Sequence, residues 1–276
     1  MSNLPKIIAS DIDGTLTHSG HVIPEFTCNV LNHLASTGIP IALITGFNYL
    51  TTRKYIQNID PNITVIVQNG TLCEQNGEIV WEMGIAADDV APIYRFLEEQ
   101  QAPIIVYKGK NGDFKVLYKG RGEEKKRAYF HQVEEISSFE GITGISTLVP
   151  NELVPGLKSG LSSIIGDNYQ LIYSEGKEES WLEVTPPAAR KDKALDRLCR
   201  QLGLTPREAI YFGDNFNDLE TLKMVGHPVV MENAVPSLRD QFDTRASVVY
   251  SQGAARYLVN LFQLKTFQSP NSNGFS

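Results

Sequence analysis

Ser10-Asp-Ile-Asp-Gly-Thr-Leu-Thr17 follows a short apolar stretch at 6–9 that reads as a strand, so two carboxylates, Asp11 and Asp13, stand at a strand end. Side chains two residues apart on extended chain point to the same side. Like charges placed together are costly unless a cation or a proton compensates them. Gly14 lets the backbone turn sharply away, and Thr15 is able to bond the local backbone. Asp-Gly is also a common turn dipeptide, so a polar turn and a catalytic pair both account for these residues taken alone.

The surrounding chain sharpens the choice. Pro24 opens a helix with apolar positions Phe26, Val30, Leu31 and Leu34, and Gly38 is its expected stop. The nearly continuous apolar run 39–44 suits a strand buried on both faces, and it ends at Thr45-Gly46. A helix over 49–59 and a strand over 63–67 follow. This alternation predicts an α/β fold, a doubly wound parallel sheet of the Rossmann-like kind.

The middle of the chain has a different pattern. A hairpin over 71–81 turns at Asn76-Gly77, and a helix over 90–100 and strands at 104–107 and 114–118 come next. A second helix is predicted over 125–136, with strands at 144–148, 170–173 and 181–184. That is an α+β pattern, with hinges near 83–87 and 185–189. Alternation resumes with a helix on Leu195, Leu198, Cys199 and Leu202 that stops at Gly203. A strand at 209–212 runs into Gly213-Asp214, followed by a helix at 219–225, strands at 228–231 and 247–250, and a helix at 254–264. The expected domains are therefore an α/β core of 1–84 and 185–265 and an inserted α+β domain of 85–184. The polar tail 266–276 is expected to be disordered. Ligands of such sheets bind at the carboxyl ends of the strands, which would gather Asp11, Asp13, Thr45 and Asp214 on one rim.

A net charge of −7 over 276 residues argues against nucleic acid or a membrane surface as partner, while leaving room for a local cationic pocket. Cys28, Cys73 and Cys199 lack metal or disulfide spacing, and the N-terminus lacks a signal-peptide pattern. A soluble, cytoplasmic protein is expected, and its sequence leaves monomer and homodimer both open. The five histidines show no metal spacing; His18 and His21, close to the Asp11–Asp13 loop, are expected at the surface. Trp81 and Trp181 are expected to pack at the base of the inserted domain. The basic stretch 119–127 reads as a solvated face, since two glutamates interrupt it.

Gly213-Asp214-Asn215-Phe216-Asn217-Asp218 supplies a second acidic cluster. Such oxygen-rich sites suit Mg2+, which takes few carboxylates and keeps waters and phosphate oxygens. Helix capping is the competing account, above all for Asp218. Thr45-Gly46 offers a hydroxyl and backbone N–H groups at a strand-to-helix turn, a ready anion site. Lys191 opens a helix, where a lysine opposes the dipole unless an anion is near.

Together these four elements resemble the signature of the haloacid dehalogenase-like superfamily. Asp11-Ile-Asp-Gly-Thr15 resembles its first motif, Thr45 its second, Lys191 its third and Gly213-Asp214…Asn217-Asp218 its fourth. The long interval from Thr45 to Lys191, with Gln68-Asn69-Gly70 and Leu182-Glu-Val184, resembles the Cof-type subfamily, whose cap is inserted there. The resemblance implies a phosphatase of sugar phosphates or other small phosphorylated metabolites, with Asp11 as nucleophile and Asp13 as acid and base. It implies Mg2+ held by Asp11, the backbone carbonyl of Asp13 and Asp214, with Asp218 behind them or replaced by water. Thr45, Gly46, Lys191 and Asn217 would bind the phosphate. Two departures stand out: Phe47-Asn48 follows Gly46 where an arginine is common, and Lys193 competes with Lys191. The alternatives are a phosphotransferase or mutase using the same intermediate, and a ligand-binding protein without catalysis.

Overall fold

Ile7, Ile8 and Ala9 are fully buried, as a strand covered on both faces requires. In the computed structural model, which describes residues 4–18, 21–116, 131–174 and 177–267, they form β1 (Ile7–Ser10). The chain continues through α1 (Glu25–Ser36), β2 (Ile41–Ile44), α2 (Tyr49–Tyr55) and β3 (Thr64–Val67). All twelve residues of these three strands are buried. A hairpin of β4 (Leu72–Gln75) and β5 (Glu78–Glu82) extends the sheet antiparallel. Asn76 and Gly77 make its turn at φ of 53° and 79°, as a two-residue hairpin loop demands.

The second sheet belongs to the segment that follows: α3 (Ala87–Glu99), β6 (Ile104–Tyr107), β7 (Asp113–Val116), β8 (His131–Val133), β9 (Gly144–Pro150), α4 (Val154–Ile165), β10 (Gln170–Ser174) and β11 (Glu179–Thr185). Its strand order is β10-β11-β9-β6-β7-β8, antiparallel except for the β7–β8 pair. Helices α3 and α4 bury Val90, Ile93, Leu97, Leu157 and Leu161 against Ile104, Val106, Ile145 and Val149.

The chain then returns to the first sheet through α5 (Lys191–Gln201), β12 (Ala209–Gly213), α6 (Leu219–Met224), β13 (His227–Met231), α7 (Pro236–Arg239), β14 (Arg245–Ala246) and α8 (Gly253–Leu261). The completed order is β14-β13-β12-β1-β2-β3-β4-β5. One layer, with α1 and α8, packs Leu31 and Leu258 against one face; the other, with α5 and α6, packs Leu195 and Leu222 against the opposite face. The fold is α/β, with an additional, mostly antiparallel sheet as cap. Successive strands step outward from β1 on one side and from β12 on the other. The sheet therefore switches direction between β1 and β12, where a crevice opens at the strands' carboxyl ends.

Several local expectations are corrected. Of the helix predicted over 125–136, residues 125–130 lie outside the described residues, and 131–133 form strand β8. Helix α4 is unpredicted because Gly156, Gly160 and four serines and prolines weaken its pattern. Its packing explains Gly160: a Cβ there would overlap the Phe96 ring of α3. Helix α2 ends at Tyr55, and the strand expected over 247–250 is replaced by β14 two residues earlier and a 3-10 turn at Val249–Ser251. The short α7 was also unpredicted, and most of the polar tail, residues 268–276, lies outside the described residues. Trp81 packs in the core and donates to the Gly70 carbonyl at 3.0 Å.

Candidate active site

Asp11 leaves the end of β1 with its N–H bonded to the Phe212 carbonyl of β12 at 2.9 Å, so the switch in strand order fixes its position. Gly14, at φ +88°, turns the chain, and a Cβ there would overlap the Asp214 carboxylate. The loop is closed by Gly14 N–H to the Thr17 carbonyl at 2.7 Å and held from outside by Asn233, whose amide donates to the Gly14 carbonyl at 2.7 Å. Thr15 does not serve the local backbone as expected: its hydroxyl donates to Asp214 Oδ1 at 3.1 Å and ties the two acidic loops together.

Lys191 sits at the start of α5, and its side chain is fully buried. Its Nζ reaches Asp11 Oδ1 at 2.5 Å and Asp218 Oδ1 at 2.7 Å. Lys193 is exposed, because two residues on a helix differ by about 200° in direction. Of the two lysines, Lys191 is the one that reaches the acidic cluster. The geometry also gives it a function that the sequence did not: it clamps two carboxylates as well as offering a third N–H.

Asp218 is fully buried and saturated. Beyond Lys191 it accepts from the Tyr211 hydroxyl at 2.6 Å and from the N–H groups of Asp214 and Asn215 at 3.2 and 3.1 Å. It therefore both completes the capping box of the short 3-10 turn, whose N-cap is Asn215, and forms a strut under the site. Asp11 Oδ2 and Asp13 Oδ1, by contrast, are buried without a partner. Carboxylate oxygens of Asp11, Asp214 and Asp218 lie within 4.8 Å of one another. With Asp218 saturated, the unfilled acceptor capacity falls on Asp11 and its neighbours, which suits a hard divalent cation.

The electrostatics follow from this crowding. Burial, opposed by Lys191 but reinforced by Asp218 and Asp214, raises the Asp11 carboxyl well above its usual range. Burial and the Asp218 charge push Asp214 up to about 7. Burial raises Asp13 too, against the pull of His18 and Lys191. For Lys191, burial acts downward, but Asp11 and Asp218 outweigh it and the ammonium is held more firmly than usual.

Thr45, one residue past β2, is buried with its N–H on the Ile66 carbonyl at 2.9 Å, and its hydroxyl accepts the Phe47 N–H at 3.1 Å. Gly46 is exposed beside it, and a Cβ on Gly46 would come 3.3 Å from Asn69 Oδ1. Phe47, in place of an arginine, stacks on Tyr55 at 5.1 Å between ring centroids. Asn217 is exposed and meets Asn69 only at 3.5 Å. Asn69 itself has φ +55° and hangs from the Thr45 carbonyl. Its predecessor Gln68, at φ +48°, accepts from Thr143 of the cap at 3.0 Å, which ties the two sheets together. His18 is half-buried and lies 3.7 Å, centroid to centroid, from exposed His21. Sequence reasoning missed Tyr211 because it lies inside an apolar strand; a fully buried tyrosine does, however, call for a hydroxyl partner. Asn233 carried no sequence signal.

The profile of the haloacid dehalogenase-like hydrolases matches residues 8–258. The chain belongs to that family. It is a Cof-type phosphatase within it, with the cap sheet inserted between Thr45 and Lys191. Among its curated relatives is an HMP-PP phosphatase of Yersinia enterocolitica, 28% identical over 263 residues that span 92% of this chain and 94% of the relative. Among solved structures, TM0651 from Thermotoga maritima superposes with a TM-score of 0.81 at 21% identity, covering 93% of this chain and 97% of that one. The phosphatase BT1666 from Bacteroides thetaiotaomicron gives 0.77 at 20% identity, with 95% and 96% covered. At such identity these two likenesses speak for the shared fold. No helix among the described residues is long and apolar enough to cross a membrane.

Proposed function

We propose that this haloacid dehalogenase-like protein hydrolyses a small phosphomonoester through an aspartyl-phosphate on Asp11, with Mg2+ as cofactor. The observation that carries this reading is the Asp11 carboxylate, buried, with one oxygen clamped by Lys191 and the other unpartnered. Asp11, Asp214 and the backbone carbonyl of Asp13 are the groups that would hold the cation, with Asp218 behind them. When bound, it supplies positive charge against the phosphoryl oxygens.

An Asp11 oxygen attacks phosphorus, and the bond to the leaving oxygen breaks. Asp13 gives that oxygen its proton, for which its raised carboxyl is suited. Asp13, now ionised, takes a proton from water, whose oxygen attacks the acyl-phosphate and returns Asp11 and free phosphate. Lys191, Gly46 N–H, Thr45 and Asn217 face the charge that gathers on the phosphoryl oxygens. The core of 1–84 and 185–265 carries this chemistry, and the cap of 85–184 closes over it. Three free, buried cysteines are in keeping with a cytoplasmic protein.

Turnover of para-nitrophenyl phosphate tests the reading. We expect activity with Mg2+ and a loss of at least about a hundredfold on chelation; equal rates with and without the cation would contradict it. Phosphate passed to an added alcohol in preference to water would indicate a phosphotransferase.

The cation also governs stability. Asp214 titrates at about 7 in the folded chain against an ordinary 3.8, so without a cation the folded state binds the extra proton between these values. Its contribution to stability therefore falls as pH rises from about 4 to about 7. A cation removes this cost by replacing the proton. The rise in Tm on adding Mg2+ is expected to be larger at about pH 8 than at about pH 5; thermal melts at both values check it, and an equal rise would count against Asp214 as a ligand.

A further inference from the structure

Along the seam between β10 of the cap and the loop after β12 lies a cleft of about 320 Å3 that reaches Lys191. Ile172 and Gln170 line it from the cap, and Phe216 and Asn217 from the core. The charged groups on its wall already have partners. Lys191 is held by Asp11 and Asp218, Arg190 forks onto Asp192 at 2.9 and 3.1 Å, and Glu220 meets Lys223 at 3.1 Å. Gln170 spends its amide on Thr185, Pro186 and Ala189.

What the cleft leaves on offer is apolar surface and the amides of Asn69 and Asn217, which meet each other only at 3.5 Å. Phe216 is 51% exposed, and its backbone is held in place, since its N–H is capped by Asn215 at 2.8 Å and the Asn215 N–H bonds Asp218 at 3.1 Å. Ile172, half-buried, lines the same cleft from the cap. A second phosphate or carboxylate on the leaving group would find no uncompensated cation among the described lining residues, whereas a flat apolar face would find the Phe216 ring. A rigid aromatic recognises a ring at little cost in conformational entropy.

We propose that this cleft receives the leaving group, that Phe216 determines its specificity, and that the preferred substrate carries an uncharged, flat, largely apolar ring beside the phosphate it loses. This inference rests on the phosphohydrolase reading above and goes on to name its substrate class.

The test compares wild type, Phe216→Ala and Phe216→Trp on naphthyl phosphate and on glycerol phosphate, in Mg2+. The ratio of variant to wild type for each substrate removes the intrinsic difference between the two leaving groups. We expect Phe216→Ala to lower kcat/KM for naphthyl phosphate about tenfold, chiefly through KM, and to leave glycerol phosphate within about twofold. Phe216→Trp should restore the aryl substrate. Glycerol phosphate serves as the check that the variant is folded. Equal losses on both substrates, or no loss on either, would overturn the assignment while leaving the hydrolase reading in place. If wild type hydrolyses neither, the hydrolase reading fails, and this one with it.

Discussion

Asp11→Asn is expected to lower kcat by roughly 10^4-fold or more while the protein stays folded. Asparagine fills the same volume and can accept the Lys191 bond at the same oxygen, but its amide does not attack phosphorus. Stability should not suffer in the absence of a cation. Burial and the nearby Asp218 and Asp214 charges hold the Asp11 carboxyl well above its usual range, so at neutral pH its ionised form costs folding energy. Removing that charge removes the cost while Lys191 keeps Asp218 as its counter-ion, the usual trade between stability and activity at a reacting group. Turnover and thermal melts on the same preparation decide the matter. A variant with intact turnover, or one that loses activity only by unfolding, would contradict the role given to Asp11.

Lys191→Met should be the most destabilising single change at the site. Its side chain is fully buried between Asp11 and Asp218, and methionine leaves both carboxylates without their cation. Breaking a buried ion pair from one side costs about 3–5 kcal/mol, which for a chain of this size lowers Tm on the order of 10 °C. The loss has a definite pH dependence. Without Lys191 the Asp11 carboxyl loses the charge that opposes its rise in the folded state, so the added cost grows as pH rises and shrinks in acid. Adding Asp218→Asn to Lys191→Met should recover part of the loss, since one of the stranded charges is then gone. Denaturant melts of the single and double variants check this, and a double variant no more stable than Lys191→Met would show that the clamp contributes little.

Much of this is legible in the amino-acid sequence alone. Asp11, Asp13, Thr45 and Asp214 each follow a short apolar strand, and burial on both faces gives such strands a pattern that survives in a single sequence. The placement of Lys191 at a helix start is legible from the helical spacing of Leu195, Leu198, Cys199 and Leu202 that follows it. What the sequence did not disclose are the contacts between distant residues. Lys191 meets Asp11 across 180 positions and Asp218 across 27, and no local rule states that one ammonium will serve both. Asp218 looked like a capping residue, and it is one; that it is also the strut for Lys191 depends on Tyr211, hidden in an apolar strand. Helix α4 was lost because Gly160 answers to Phe96 of another helix and not to its own helical propensity.

The most direct test of the central claim is to quench the enzyme with acid during steady turnover in Mg2+ and to map covalently bound phosphate by mass spectrometry. The account predicts a phosphorylated peptide containing Asp11, with the phosphate lost on mild alkaline treatment as an acyl-phosphate is, and no such peptide from Asp11→Asn. Phosphate on a different residue, or rapid turnover with no phosphorylated peptide at any time, would contradict it.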